Sequence, residues 1–122
     1  RAVAYIDPAA GGSSGVYLAT LFEKLGIAQQ IKAKSVLVPG GLVAERVVDG
    51  QADIALHQIS EILAVPGAAL VGPIPLDVQY FTPYSGGVAV GSRDRAAADA
   101  FLLALSDPGN LPTLKKLGMV GP

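Results

Sequence analysis

Short apolar runs that stop at proline or glycine, each followed by a stretch with helical spacing, recur along this chain and constrain its fold more than any other feature. Residues 2–6 run into Asp7-Pro8, residues 35–38 run into Pro39-Gly40-Gly41, and residues 53–57 form a third run that begins just after Gly50. Proline has no backbone N–H and also pushes the residue before it out of helical geometry, so each stop is abrupt. Strands joined through helices must return in the same direction, because a parallel pair needs a long crossover. The expected fold is therefore an α/β domain with a mostly parallel sheet and flanking helices.

The helical stretches carry their own signals. Tyr17, Leu18, Leu21, Phe22 and Leu25 fall on one face of a helix, opposite Thr20, Glu23 and Lys24, and Gly26 provides the left-handed cap. Further helices are expected at 28–32, 42–49, 59–63, 94–105 and 111–117, with Ser92 or Asp94 capping the fifth. Additional extended segments are expected near 69–71, 78–84 and 87–90.

Two segments repeat one arrangement of strand, glycine-rich loop and helix start. The first is Asp7-Pro8-Ala9-Ala10-Gly11-Gly12-Ser13-Ser14-Gly15 and the second is Val38-Pro39-Gly40-Gly41-Leu42-Val43. Glycine allows tight turns and close approach to a ligand, and a helix start offers unpaired N–H groups at the positive end of the helix dipole. Ser13 and Ser14 add hydroxyl donors. In a parallel sheet both loops lie at the strands' C-terminal edge, where ligands collect. The pattern is half of an anion site without a charged side chain; the plainer alternative is two ordinary loops with a capping serine. Neither loop matches the dinucleotide fingerprint or the phosphate loop.

Composition excludes several classes. With a formal net charge of -1 and 16% charged residues, the chain has no basic stripe for nucleic acid. Cysteine is absent, so thiolate metal sites and disulfides are too. Apolar residues reach 51%, yet no apolar run approaches the roughly 18 residues of a membrane span. Such a composition implies burial against something beyond the chain's own core, either a second copy or another part of a longer protein. A chain whose first residues already read as a strand fits the second alternative.

His57 is the single histidine, in Ala55-Leu56-His57-Gln58-Ile59-Ser60-Glu61. One histidine without a nearby carboxylate pair at ligand spacing makes no metal site, and no cofactor motif is present. Paired with Glu61 or Asp7 it becomes a general base; unpaired it is a hydrogen-bonded structural residue. An imidazole of ordinary pKa would gain charge in mildly acidic medium and strengthen anion binding there. Ser13 and Ser14 lack the elbow sequence of a hydrolase nucleophile.

At these residues the chain resembles the second lobe of periplasmic molybdate-binding proteins of ABC transporters. The likeness rests on Asp7-Pro8, the small-residue loop ending Ser14-Gly15-Val16-Tyr17, the helix ending Leu25-Gly26, and the loop and helix from Gly40 to Val48. It continues through Gly50-Gln51-Ala52-Asp53-Ile54-Ala55 and the ending Leu114-Lys115-Lys116-Leu117-Gly118. The resemblance implies a type 2 periplasmic-binding-protein-like α/β fold. Residues 1–84 would form the second of two lobes, and 85–122 a crossover strand and C-terminal helices returning to the first.

It further implies a small anion held by Ser14, the backbone near Gly40 and Gly41, and Gln58, with a transporter permease as partner, outside the cytoplasm. Ser13 and His57, next to these in the chain, complete the candidate ligand-binding set. Gln58 stands where the molybdate binders carry tyrosine, and the first loop is one residue longer, which leaves room for an organic acid. The alternative function is a small-acid isomerase, similar to aconitate isomerase, on the same scaffold with His57 as base.

Overall fold

The computed structural model describes residues 1–121. The chain divides into two compact units, Arg1–Tyr80 and the remainder from Phe81.

The first unit is built on a three-stranded parallel sheet of order β2-β1-β3, with β1 at Val3–Ile6, β2 at Ser35–Val38 and β3 at Ile54–Ala55. Val3 pairs with Ser35 on one side and with Ile54 on the other, so β1 is central and paired along both edges. Successive side chains of a strand point to opposite faces. Ala4 and Ile6 therefore join Val38, Val43 and Ala52 in one cluster, while Tyr5 joins Leu18, Leu21 and Phe22 in the other.

The Tyr5 face is covered by α1 (Ser13–Lys24) and α2 (Ala28–Lys32). Leu18, Leu21 and Phe22 are buried at helical spacing, each contributing about 1.5–3 kcal/mol of transfer free energy. The Tyr5 ring meets Phe22 edge-on at 5.4 Å. Its hydroxyl lies 3.0 Å from Ser35 Oγ, which spends its own proton on the Ile31 carbonyl at 2.8 Å, so Tyr5 is the donor. Helix α1 ends as its sequence predicts. Gly26 sits at φ 68° and its N–H reaches the Glu23 carbonyl, while the Ile27 N–H reaches Phe22, a Schellman closure. Leu25, expected on the buried face, lies beyond the last turn and is half exposed.

On the opposite face, α3 spans Glu45–Val48, a single turn where a helix over 42–49 was expected. The residues before it wind more tightly: the Glu45 and Arg46 N–H groups bond the carbonyls of Leu42 and Val43, three residues back. The tighter winding seats Val43 and Ala44 in the core immediately after the loop. Strand β3 is also shorter than 53–57, although Asp53 N–H bonds Ala2 O and Leu56 N–H bonds Ala4 O just outside its ends. Helix α4 follows at Ile59–Leu63, as the spacing predicts.

The expected extended segments at 69–71, 78–84 and 87–90 are not strands. Leu76–Val78 forms a 3-10 turn instead. Pro73, Pro75 and Pro83 each remove a ladder donor, and Val71 and Val90 are 95% and 100% exposed, so no neighbouring strand covers them.

The second unit contains α5 (Arg95–Leu105) and α6 (Leu111–Lys116). Of the two proposed caps it is Asp94 that starts α5, its carboxylate accepting from Ala97 N–H at 2.9 Å. Asn110 Nδ2 donates to the Ala104 carbonyl at the helix end. None of the described residues from 81 onward is buried, and Phe101, Leu103 and Leu105 are exposed.

Candidate functional site

Because all three strands run in parallel, the loops after β1, β2 and β3 leave the same edge of the sheet. Asp7 N–H bonds the Val38 carbonyl at 2.8 Å, tying the first loop to the end of β2. The Asp7 carboxylate turns into its own loop, accepting from Ala9 N–H at 2.9 Å, and the chain swings through a 3-10 turn at Pro8–Ala10. Gly11, at φ 77°, reverses it toward α1.

Helix α1 then begins without a side-chain cap. Its N-cap is Gly12, the first intrahelical bond is Val16 N–H to Gly12 O, and no acidic residue stands in the first turn. The N–H groups of Ser13, Ser14 and Gly15 thus have no intrahelical acceptor, at the positive end of a 12-residue helix. Gly15 allows this helix to touch the sheet edge: a Cβ there would lie 2.4 Å from the Ile6 carbonyl oxygen.

The structure brings Ser13 and Gln58 together, with Gln58 Nε2 3.3 Å from Ser13 Oγ and Gln58 Oε1 buried without a partner. The Ser14 side chain is half-buried and makes no hydrogen bond within the protein among the described residues. Gly40 and Gly41 are exposed at the end of β2, with Gly41 at φ 83°. The helix after them is only one turn long, so the expectation of a second helix start with a strong dipole fails there.

Of the two partners considered for His57, the fold supplies Glu61 and not Asp7. His57 Nε2 is 2.6 Å from Glu61 Oε2, one helical turn on, and the imidazole is 4% exposed. Burial is the larger influence on its pKa and lowers it, while the Glu61 charge pulls the other way. That desolvation works against the gain of charge expected of His57 in mildly acidic medium. The neutral ring donates from Nε2 to the carboxylate, leaving the basic Nδ1 buried with no hydrogen-bond partner.

An open hollow of about 380 Å³ lies beside the α1 start, lined by Gly11, Ser13, Val16, Tyr17 and Tyr80. Tyr80 stacks on Tyr17 at 4.8 Å between ring centroids, and the Tyr17 hydroxyl donates to the Val78 carbonyl. Sequence reasoning missed this wall. Tyr17 reads there as part of a buried helical face and Tyr80 as part of a strand, and no spacing relates two residues that meet only when the chain returns over α1. Among the described residues no cluster of three or more His, Asp or Glu side chains is poised for a metal ion, and no helix is long and apolar enough to cross a membrane.

Residues 1–120 match the family described as bacterial extracellular solute-binding protein, and the chain belongs to that family. Within this class it is similar to the aconitate isomerase of a Pseudomonas species, 35% identical over 120 residues. That alignment takes in 98% of this chain and 44% of the relative, so the chain spans less than half the relative's length. No solved structure gave a significant match.

Proposed function

We propose that this chain is the ligand-holding lobe of an extracytoplasmic solute-binding protein that binds a small anion, either a molybdate-like oxyanion or an organic acid. The observation that carries this reading is the uncapped start of α1, where three free N–H groups and the hydroxyls of Ser13 and Ser14 gather at the sheet's C-terminal edge. Gly40 and Gly41 lie at the same edge and supply backbone from the neighbouring strand. The bound form docks on an ABC transporter permease in the periplasm, and the exposed apolar face of α5 packs on a first lobe or on a second copy of the chain.

The experiment is titration calorimetry of the full-length protein with molybdate, sulfate and small di- and tricarboxylates. Ser14→Ala removes one hydrogen bond to a charged group, worth about 1.5–3 kcal/mol, or roughly ten- to a hundredfold in affinity. Failure of every anion to bind, or an unchanged affinity in Ser14→Ala, defeats the assignment.

A second reading, isomerisation of a small acid, is favoured by one observation. Glu61 fixes the tautomer of His57 and leaves its basic Nδ1 unpaired, as in an oriented general base, although that nitrogen is buried and a substrate must reach it. The similarity to an aconitate isomerase points the same way. Interconversion of aconitate isomers by the full-length protein, lost in His57→Ala, would establish it; binding of aconitate without turnover would leave the transport reading.

A further inference from the structure

We infer that Tyr17, Tyr80 and Val16 form a carbon-recognising wall that makes this site select an organic carboxylate over an inorganic oxyanion. The inference rests on the anion-binding reading and adds the ligand's class to it.

The hollow beside the α1 start is two-sided. One rim carries Gly11 and Ser13 at the helix start, and the rest is Val16 and the two tyrosines. A tetrahedral oxyanion has acceptors on all sides and is held well only where donors surround it. Here the Tyr17 hydroxyl has already given its single proton to the Val78 carbonyl, so Tyr17 offers the hollow ring carbon and no donor. Val16 is 48% and Tyr80 49% exposed, leaving apolar surface open in the hollow that Ser13 also lines.

A ligand with a carboxylate at one end and a carbon body at the other satisfies both sides. Its head accepts from the helix start, and its body removes the Val16 and Tyr80 surfaces from water. The volume of about 380 Å³ also falls in the range of about 300–1,000 Å³ usual for organic ligands.

The test is a selectivity measurement on the full-length protein, using tricarballylate as the carboxylate probe and sulfate and molybdate as oxyanions. Tricarballylate should bind more tightly than either oxyanion. Tyr80→Ala should weaken tricarballylate about tenfold while leaving oxyanion affinity unchanged, and Tyr80→Phe should restore it, since the ring face is what counts. Val16→Ser, on an exposed helix position, should reduce tricarballylate binding in the same selective way and guards against misfolding of the Tyr80 variant. Sulfate or molybdate binding as tightly as tricarballylate would overturn the inference while sparing the anion site. Equal weakening of both classes in Tyr80→Ala and Val16→Ser would also overturn it, reducing the ring pair to a clamp on the chain. Binding of neither class overturns the anion reading and this inference together.

Discussion

The side-chain amide nitrogen of Gln58 lies 3.3 Å from the hydroxyl oxygen of Ser13, joining the exit of β3 to the entry of α1 across 45 positions of chain. The amide oxygen of the same glutamine is buried and unpaired. Reversing the amide lets Ser13 donate to that oxygen and puts the NH2 group in the unpaired place, turning a vacant acceptor into a vacant donor. In both orientations one polar atom of Gln58 is without a partner inside the protein.

Gln58→Leu should therefore cost little stability. It removes a long, exposed hydrogen bond together with a buried unsatisfied atom, and these effects oppose each other at about 1 kcal/mol each. Anion affinity or anion preference should change measurably in the same variant. Urea denaturation and calorimetry read the two quantities separately, and a stability loss well above 1.5 kcal/mol with unaltered binding would make Gln58 a structural residue.

His57 should make the domain sensitive to acid. Burial lowers its folded-state pKa below the unfolded value of about 6.5, so between those two values the unfolded chain binds more protons than the folded one. The contribution is complete above about pH 6.5 and is lost as the pH falls below it, through the lowered folded-state pKa. Thermal melting from pH 8 to 5 should show a decline that His57→Gln makes shallower. A wild-type curve parallel to the variant's would mean that the imidazole accepts its proton in place.

Gly15→Ala should destabilise the fold although alanine is the better helix former by about 0.8–1 kcal/mol. The added methyl would sit 2.4 Å from the backbone oxygen of Ile6, and a backbone atom of the central strand cannot rotate away. Forced displacement in a packed core costs about 1–3 kcal/mol, so the steric effect exceeds the propensity gain. The urea midpoint should fall, and anion affinity should fall with it as the helix start moves off the sheet edge. A raised midpoint would show that α1 shifts freely.

Residues that touch only their sequence neighbours could be read directly. Asp94 as one of two candidate caps, Gly26 as a helix terminator and the helices at 28–32 and 59–63 depend on local hydrogen bonding and side-chain periodicity, and the span of β2 was legible from the apolar run that Pro39 ends. The ordered series of such signals also carried the solute-binding family. The narrower molybdate likeness stays a matter of proposal, because ligand choice depends on a few side chains and not on the series.

What tertiary structure decided is everything set by non-local contact. Val43 and Ala44 compress a predicted helix into one turn because the core claims them first, and the apolar run at 69–71 forms no strand because no partner edge reaches it. Glu61 faces His57 while the Asp7 carboxylate accepts from Ala9 N–H, and burial of the imidazole lowers its pKa. Tyr17 meets Tyr80 only after the chain has crossed the whole unit. Periodicity specifies which face of an element is apolar, but which atoms meet across that face is determined by packing, and the candidate site consists of such meetings.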